Sequence, residues 1–303
     1  MWSDLISHLD APEERLFWPY LASALALALL GAAAGRVSLR RDVFSRDLWW
    51  HPSARADYLY FLLRAALSAF VIAPLLVSST VVAVKVVLVL YEFLGQPPDW
   101  PLGASGTTAL YTALLFITSD ASRFLLHKWM HESDVLWRFH QVHHSAEVMT
   151  PITLYRTHPV EGLLMALRGV LVTGLVGGLV SYLARGQAVP AEVLGVNAIA
   201  FALNLAGANL RHSHVWLSFG PLERLLLSPA QHQLHHAVET GGLGVNYGAF
   251  LALWDRLAAT WVPAAQRPAR FGLPEDALNH SPRSAWSMLV HPFWRTPQRD
   301  SSA

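Results

Sequence analysis

His127-Lys-Trp-Met-His131, His140-Gln-Val-His143-His144 and His232-Gln-Leu-His235-His236 decide how this chain is read. On a helix, residues three and four apart share a face, so each cluster aims two or three imidazoles at one place. A single ion takes about four to six ligands, so eight neutral ring nitrogens suffice for two ions with coordination positions left open. Number argues against unrelated histidines. Eleven of the fifteen in the chain lie between His127 and His236, and the doubled His-His ending recurs after the same two-residue spacer. The reading is a dinuclear metal site with His127, His131, His140, His143, His144, His232, His235 and His236 as ligands.

Outward from the clusters, the chain is apolar: of 303 residues, 53% are hydrophobic and 14% charged, beyond what an ordinary soluble domain carries. Stretches able to cross about 30 Å of hydrocarbon run from Phe17 to Gly35, Tyr58 to Leu94, Thr107 to Leu126, Val160 to Leu183 and Ala191 to Leu210. The second exceeds one span and barely holds two, with Pro74, Ser78, Ser79 and Thr80 available to kink it. One long kinked crossing, or a crossing plus a re-entrant piece, is the preferred reading, which gives five crossings. Arg36, Arg40, Arg41, Arg46 and Arg55 follow the first apolar run, whereas Arg15 stands against Asp4, Asp10, Glu13 and Glu14 before it. The arginine-rich loop is therefore expected in the cytoplasm, and all three clusters then meet on the cytoplasmic face.

The acidic start ahead of a long apolar run reads as a retained anchor rather than a cleavable signal. Zero cysteines exclude disulfides, iron–sulfur ligation and a thiolate-bound haem, and a net charge of +1 offers no nucleic-acid surface. The expected organisation is a membrane-anchor region with a basic loop over 1–104, a catalytic region over 105–262 and an irregular cytoplasmic tail over 263–303. A short amphipathic helix near Val215–Leu227 is expected to lie in the membrane interface. The fold class is all-α: a polytopic transmembrane bundle with a cytoplasmic histidine-rich helical cap.

The clusters HKWMH, HQVHH and HQLHH around a membrane hairpin resemble the fatty acid hydroxylase and sterol desaturase superfamily of integral-membrane di-iron enzymes. Asp120, Leu136-Trp-Arg-Phe139, Arg156-Thr-His158-Pro-Val-Glu161, Asn246-Tyr-Gly248, Trp254-Asp255-Arg-Leu257 and Phe271-Gly-Leu-Pro274 extend the likeness over about residues 105 to 295. Two places depart from the usual pattern: Lys128 stands where arginine is common, and Leu257-Ala-Ala-Thr260 replaces Leu-Phe-Gly-Thr. Neither removes a ligand.

The resemblance implies two irons, dioxygen as co-substrate, and hydroxylation or desaturation of an unactivated C–H bond in a fatty acyl, sterol or alkyl lipid, hydroxylation being the simpler outcome. With no fused redox domain, it implies an external electron donor of cytochrome b5-like or ferredoxin-like type, for which the loop from Arg36 to Arg55 is a candidate dock. His212 and then His214, in Arg-His-Ser-His, are further ligand candidates. Asp120, Glu147, Glu161 and Asp255 are candidates to accept the outward N–H of a ligating imidazole. His158 can orient a ligand, bind metal or cap a helix, and the first is preferred. Trp129, Trp137 and Trp216 are belt residues or channel lining rather than catalytic groups.

Two other classes compete. A membrane-embedded zinc-dependent hydrolase needs a glutamate beside the metal-binding histidine, and HKWMH lacks it. A metal transporter needs ligands partway along its spans, whereas these lie beyond the span ends.

Overall fold

The computed structural model describes residues 8–68, 70, 77–186, 189–240, 244–274 and 284–294. Two long helices set the frame. α4 (Ala104–Glu132) and α6 (Pro159–Leu183), named here by their place in the chain, are both long and apolar enough to cross a membrane. They pack antiparallel: the Arg168 guanidinium donates to Ser119 O at 3.0 Å and Ser122 Oγ at 2.8 Å, while Tyr111 meets Gly177 further along. The C-terminus of α4 and the N-terminus of α6 thus share one end of the molecule, and that end carries the histidines.

Among the described residues the other α-helices of five or more residues are α1 (Trp18–Ala33), α2 (Pro52–Leu67), α3 (Ser79–Leu94), α5 (Asp134–His144), α7 (Ala198–Leu205), α8 (Pro229–His235), α9 (Leu253–Leu257) and α10 (Ala285–Trp294). Among the described residues the one sheet is a hairpin of β1 (Glu192–Val193) and β2 (Val196–Asn197), antiparallel with Val193 opposite Val196.

α2 and α3 both advance in the direction of α6. The Tyr60 hydroxyl of α2 donates to Thr157 O at 3.2 Å, beside the start of α6, and the Tyr182 hydroxyl at the far end of α6 donates to Gly95 O at 3.0 Å, just past α3. α3 seats on a small-residue groove of α6: a Cβ at Gly174 would meet Val82 Cβ at 2.4 Å, and one at Gly178 would meet Val86 Cβ at 2.6 Å. Close backbone approach is what such a four-residue glycine spacing permits. The two helices of the segment Tyr58–Leu94 therefore run in the same direction along α6; Pro74 lies outside the described residues. Outward-facing Val81, Leu88 and Phe93 of α3 and Leu171 and Leu175 of α6 remain exposed, an apolar exterior suited to hydrocarbon.

Four sequence expectations need correction. The span foreseen over Phe17–Gly35 is a helix of 16 residues whose flanks both hold to the histidine end. Before it, the Tyr155 hydroxyl donates to Glu14 at 2.9 Å and Asn209 Nδ2 donates to Arg15 O at 2.6 Å; after it, Arg267 pairs with Asp42 at 3.0 Å. α1 lies along that end instead of leaving it.

The stretch Ala191–Leu210 is no continuous helix. Asn197 caps the eight-residue α7, and Gly207 at φ +99° ends it in a left-handed turn before the 3-10 turn Ala208–His212. A side chain at Gly207 would be strained by that φ and would meet Leu27 Cδ1 at 2.9 Å. The segment still runs along most of α4: Ala191 N–H donates to Thr112 Oγ1 at 2.7 Å in the first third of that helix, and His212 arrives among the histidines.

The amphipathic helix foreseen near Val215–Leu227 is only a five-residue 3-10 turn, Gly220–Arg224, because Pro221 and Gly220 (φ +56°) interrupt it. Conversely, the tail over 263–303 is not irregular throughout, since α10 packs Met288 and Ala285 against Tyr60 and Val142. Pro282 and Pro297 lie outside the described residues.

Candidate metal centre

Each histidine is delivered by an element whose local chemistry is legible. α4 ends at Glu132, and Ser133 both closes it and caps α5, its hydroxyl accepting Leu136 N–H at 3.4 Å. This break turns the chain so that α5 crosses the end of the bundle. α8 opens with a reciprocal cap between Ser228 and Gln231, with Pro229 in its first turn. His158 caps α6, Nδ1 accepting Val160 N–H at 3.1 Å.

Nine histidines converge in two groups, the ligand atoms within each lying within 4.8 Å of one another. His127, His131, His140, His144 and His235 form the first; His143, His212, His232 and His236 form the second. Pairs four apart, His127 and His131, His140 and His144, His232 and His236, go to the same group, as helical geometry requires. The adjacent partners split: His143 and His144 face different groups, as do His235 and His236, because neighbouring residues on a helix diverge by about 100°.

The protonation pattern leaves ring nitrogens bare toward the centre. His127 Nδ1 donates to Tyr247 O at 2.7 Å and His235 Nδ1 donates to Val245 O at 2.8 Å. His140 Nδ1 lies 3.1 Å from Glu161 Oε1. With the outer nitrogens of His127 and His235 donating, His127 Nε2 turns its lone pair inward, 3.1 Å from His140 Nε2, and His235 Nε2 is buried with no hydrogen-bond partner. His212 Nε2 likewise sits 3.1 Å from His143 Nε2 and 3.2 Å from His232 Nε2. Two imidazole nitrogens bound at right angles to one ion stand about 3 Å apart, given metal–nitrogen bonds of about 2.1 Å. The donor set therefore fits a cation in each group.

Burial drives the electrostatics. It pushes the imidazoles of His140 and His143 down to about 3 and holds those of His144, His212, His232, His235 and His236 well below the ordinary value, with neighbouring imidazoles adding to the effect for most of them. All are neutral at pH 7, the state a metal requires of its ligands.

The supporting candidates divide. Glu161 touches a histidine of the site. Asp255 acts through backbone instead: its carboxylate accepts Tyr247 N–H and Gly248 N–H, both at 2.8 Å, and Tyr247 O in turn holds His127. Asp120 meets no imidazole; it accepts Phe250 N–H, Leu251 N–H and Trp254 Nε1–H at 2.9–3.0 Å, fixing the same loop from two turns earlier on α4. His158 ties α6 to α10, Nε2 donating to Leu289 O at 3.0 Å, and is a helix cap rather than a ligand support. Glu147 lies 4.0 Å from His51, away from both groups. His214 is brought to neither group: its Nε2 accepts Met149 N–H at 3.1 Å and its ring packs on Phe271. Trp137 is buried against His131 and His144, Trp129 is exposed and Trp216 half-buried.

Four supporting residues escaped the sequence reading. Arg156, quoted there only as part of a motif, is buried at the end of α5, donating to Val142 O at 2.9 Å and Ser145 Oγ at 2.8 Å, and pairs with Asp57 at 2.7 Å. Asp57 lies in the first hundred residues, where no pattern marks it. Gln233, between two ligand candidates, donates to Leu210 O and Val215 O and so holds the His212 segment against α8. The Tyr247 ring walls the first group, 4.9 Å from His131 and 5.7 Å from His127 and His235.

The chain is similar to known proteins. The fatty acid hydroxylase family model matches residues 112–260, about half of the chain. The chain is 28% identical over 154 residues to an alkylglycerol monooxygenase of Danio rerio, covering 51% of this chain and 31% of that protein. It is 28% identical over 166 residues to the ornithine lipid hydroxylase OlsE of Rhizobium tropici, with coverages of 54% and 44%, and 27% identical over 237 residues to a Delta(7)-sterol 5(6)-desaturase of Candida glabrata, with coverages of 78% and 56%. The matches thus span from about a third to just over half of these relatives' lengths. No solved structure matches the chain.

Proposed function

Because this chain belongs to the fatty acid hydroxylase and sterol desaturase superfamily, we propose that it is a membrane-bound oxidoreductase that hydroxylates an unactivated C–H bond of a lipid. The observation that carries the reading is the division of nine histidines, seven of them buried, into a group of five and a group of four. Two irons held there would supply, with dioxygen and external electrons, an oxidant that no side chain can provide. Hydroxylation is preferred to desaturation because two of the three relatives above are named for oxygen insertion, one into alkylglycerols and one into ornithine lipids.

The protein's own residues bind, orient and exclude water. Tyr247 O and Val245 O hold His127 and His235 in the tautomer whose Nε2 faces inward, and Glu161 does so for His140. Trp137 and Tyr247 close the first group against water with aromatic walls. The four-histidine group has fewer protein donors and is the position at which open coordination is proposed.

The catalytic unit proposed for 105–262 is bound to both flanking regions, by Asp57–Arg156 on one side and by α10 on the other. Four traverses are proposed: α2 with α3, α4, α6, and the segment 191–212. The arginine-rich stretch and the histidines then share one face, which the excess of arginine assigns to the cytoplasm. Support comes from Arg267, which donates to both Asp42 and His214 O. An acidic one-electron carrier, cytochrome b5-like or ferredoxin-like, is the proposed donor on that face.

The test is metal analysis of the detergent-purified protein from iron-supplemented cells, followed by turnover of extracted membrane lipids under isotopically heavy dioxygen with a reducing system. Iron near two per chain and heavy oxygen in a lipid product are expected. One zinc per chain with lipid hydrolysis would overturn the reading in favour of a hydrolase.

A further inference from the structure

Beside the histidines, two cavities meet at a shared wall. One is an open cleft of about 680 Å3 lined by Arg41, Arg267 and Arg270 with Asp42 and Glu147. The other is a narrow slot of about 120 Å3, apolar on most sides, running between Leu21, Ala24 and Leu25 of α1 and the segment that carries Leu210 and Ser213. Asp42 and His214 line both. Leu210 and Ser213 of the slot wall are close neighbours in sequence of His212, a residue of the four-histidine group.

Charge distinguishes the two cavities. Asp42 is buried, and its single carboxylate is shared by Arg41 at 3.1 Å and Arg267 at 3.0 Å, leaving a surplus of guanidinium at the cleft. The Arg41 side chain is 74% exposed, so its remaining donors face open space. Glu147, 4.0 Å from His51, is the one further carboxylate among the described lining residues, so three arginines face two carboxylates there. The slot, by contrast, begins at the outward face of α1, where Leu25, Leu29 and Leu30 are 42%, 48% and 67% exposed. α1 lies along the histidine end of the bundle, and such an apolar face is at home in the membrane interface.

We infer that this pair of cavities binds an anionic amphiphile, its carboxylate or phosphate in the arginine cleft and the adjoining part of its chain in the slot beneath α1. The inference rests on the lipid-oxidising reading above and adds to it the class of lipid and the route. Guanidinium pairs recognise carboxylate and phosphate through charge-assisted hydrogen bonds, and the slot offers the chain a wall of side chains in place of water. The N-terminal residues outside the family match, Leu21 to Asp42, thereby supply selectivity to a metal centre built by the rest of the chain.

Photolabelling of the full-length, metal-loaded protein in neutral detergent tests this. Two probes carry the same diazirine-bearing long chain, one ending in a carboxylate and the other in an alcohol. The expected result is crosslinking to peptides containing Leu21–Ala28 and Asn209–Val215, several-fold stronger for the carboxylate. Arg41→Glu with Arg270→Glu should bring the two probes level. Leu25→Trp, at an exposed position that tolerates bulk, and Ala24→Phe should each reduce labelling by both, with metal content retained as proof of folding. Labelling confined to the outer faces of α3 and α6, or equal labelling by the two probes in the unaltered protein, would overturn the inference. Oxidation of lipid without labelling at the slot sinks this site alone, whereas labelling at the slot without any oxidation sinks the enzymatic reading and leaves the site.

Discussion

Glu161 Oε1 lies 3.1 Å from Nδ1 of His140, and it is the one carboxylate that meets a histidine of the centre among the described residues. Glu161 stands in the first turn of α6, so a helix long and apolar enough to cross a membrane also places a carboxylate against an imidazole of the centre. Glu161→Gln keeps an oxygen beside His140 Nδ1 but removes the charge that makes the ring a stronger donor. Metal binding is expected to weaken roughly 10-fold in Glu161→Gln and toward 100-fold in Glu161→Ala. Chelator competition on the purified proteins measures this, and unchanged metal retention in both variants would falsify the assignment.

The Asp57–Arg156 pair should behave as a structural clamp. Both side chains are almost wholly buried, at 0% and 1% exposure. Removing one partner leaves the other charge uncompensated, so Asp57→Ala is expected to cost about 3–5 kcal/mol. Asp57→Leu with Arg156→Met should recover much of that loss. Thermal unfolding in detergent is the measurement, and equal destabilisation by the single and double variants would contradict the clamp.

Asp255 offers a subtler test, because it reaches His127 only through the peptide between Tyr247 and Gly248. In Asp255→Asn one carboxylate oxygen becomes a donor that must face either a backbone N–H or the Thr260 hydroxyl, which now donates to Oδ1 at 2.7 Å. An unsatisfied buried donor costs about 1–3 kcal/mol. A lower melting temperature with partial loss of metal is expected. Full metal occupancy at an unchanged melting temperature would show the loop to be held otherwise.

The two histidine groups should be separable. His212→Ala or His232→Ala removes a donor from the group of four, leaving the group of five intact. Metal content is expected to fall from near two toward one per chain, with oxidation abolished. His140→Ala should deplete the other position. His214→Ala, outside both groups, should keep both metals. Loss of all metal from every variant would mean that the positions load together.

Periodicity carried the metal centre and misjudged part of the membrane. Clusters three and four apart place imidazoles on one helical face whatever surrounds them, so the eight clustered histidines were legible. Apolar composition is less decisive. Thr107–Leu126 and Val160–Leu183 lie within helices long enough to span, whereas Phe17–Gly35 and Ala191–Leu210 are as apolar and do not form such helices. What differs is polar anchoring at particular residues: Arg15 and Asp42 tie the flanks of α1, and Asn197 and Gly207 bound α7.

By itself the sequence determined that imidazoles four apart would face one ion, because the pitch of a helix is fixed by backbone geometry. Only the tertiary structure decided which histidines share which ion. It sends His143 and His235 across to the groups opposite their helical partners, and it adds His212 to one group while turning His214 onto Met149 N–H. That choice depends on how α4, α5 and α8 cross and on the supports from Arg156, Gln233 and Asp255, contacts between residues far apart in the chain, where no local spacing encodes who meets whom.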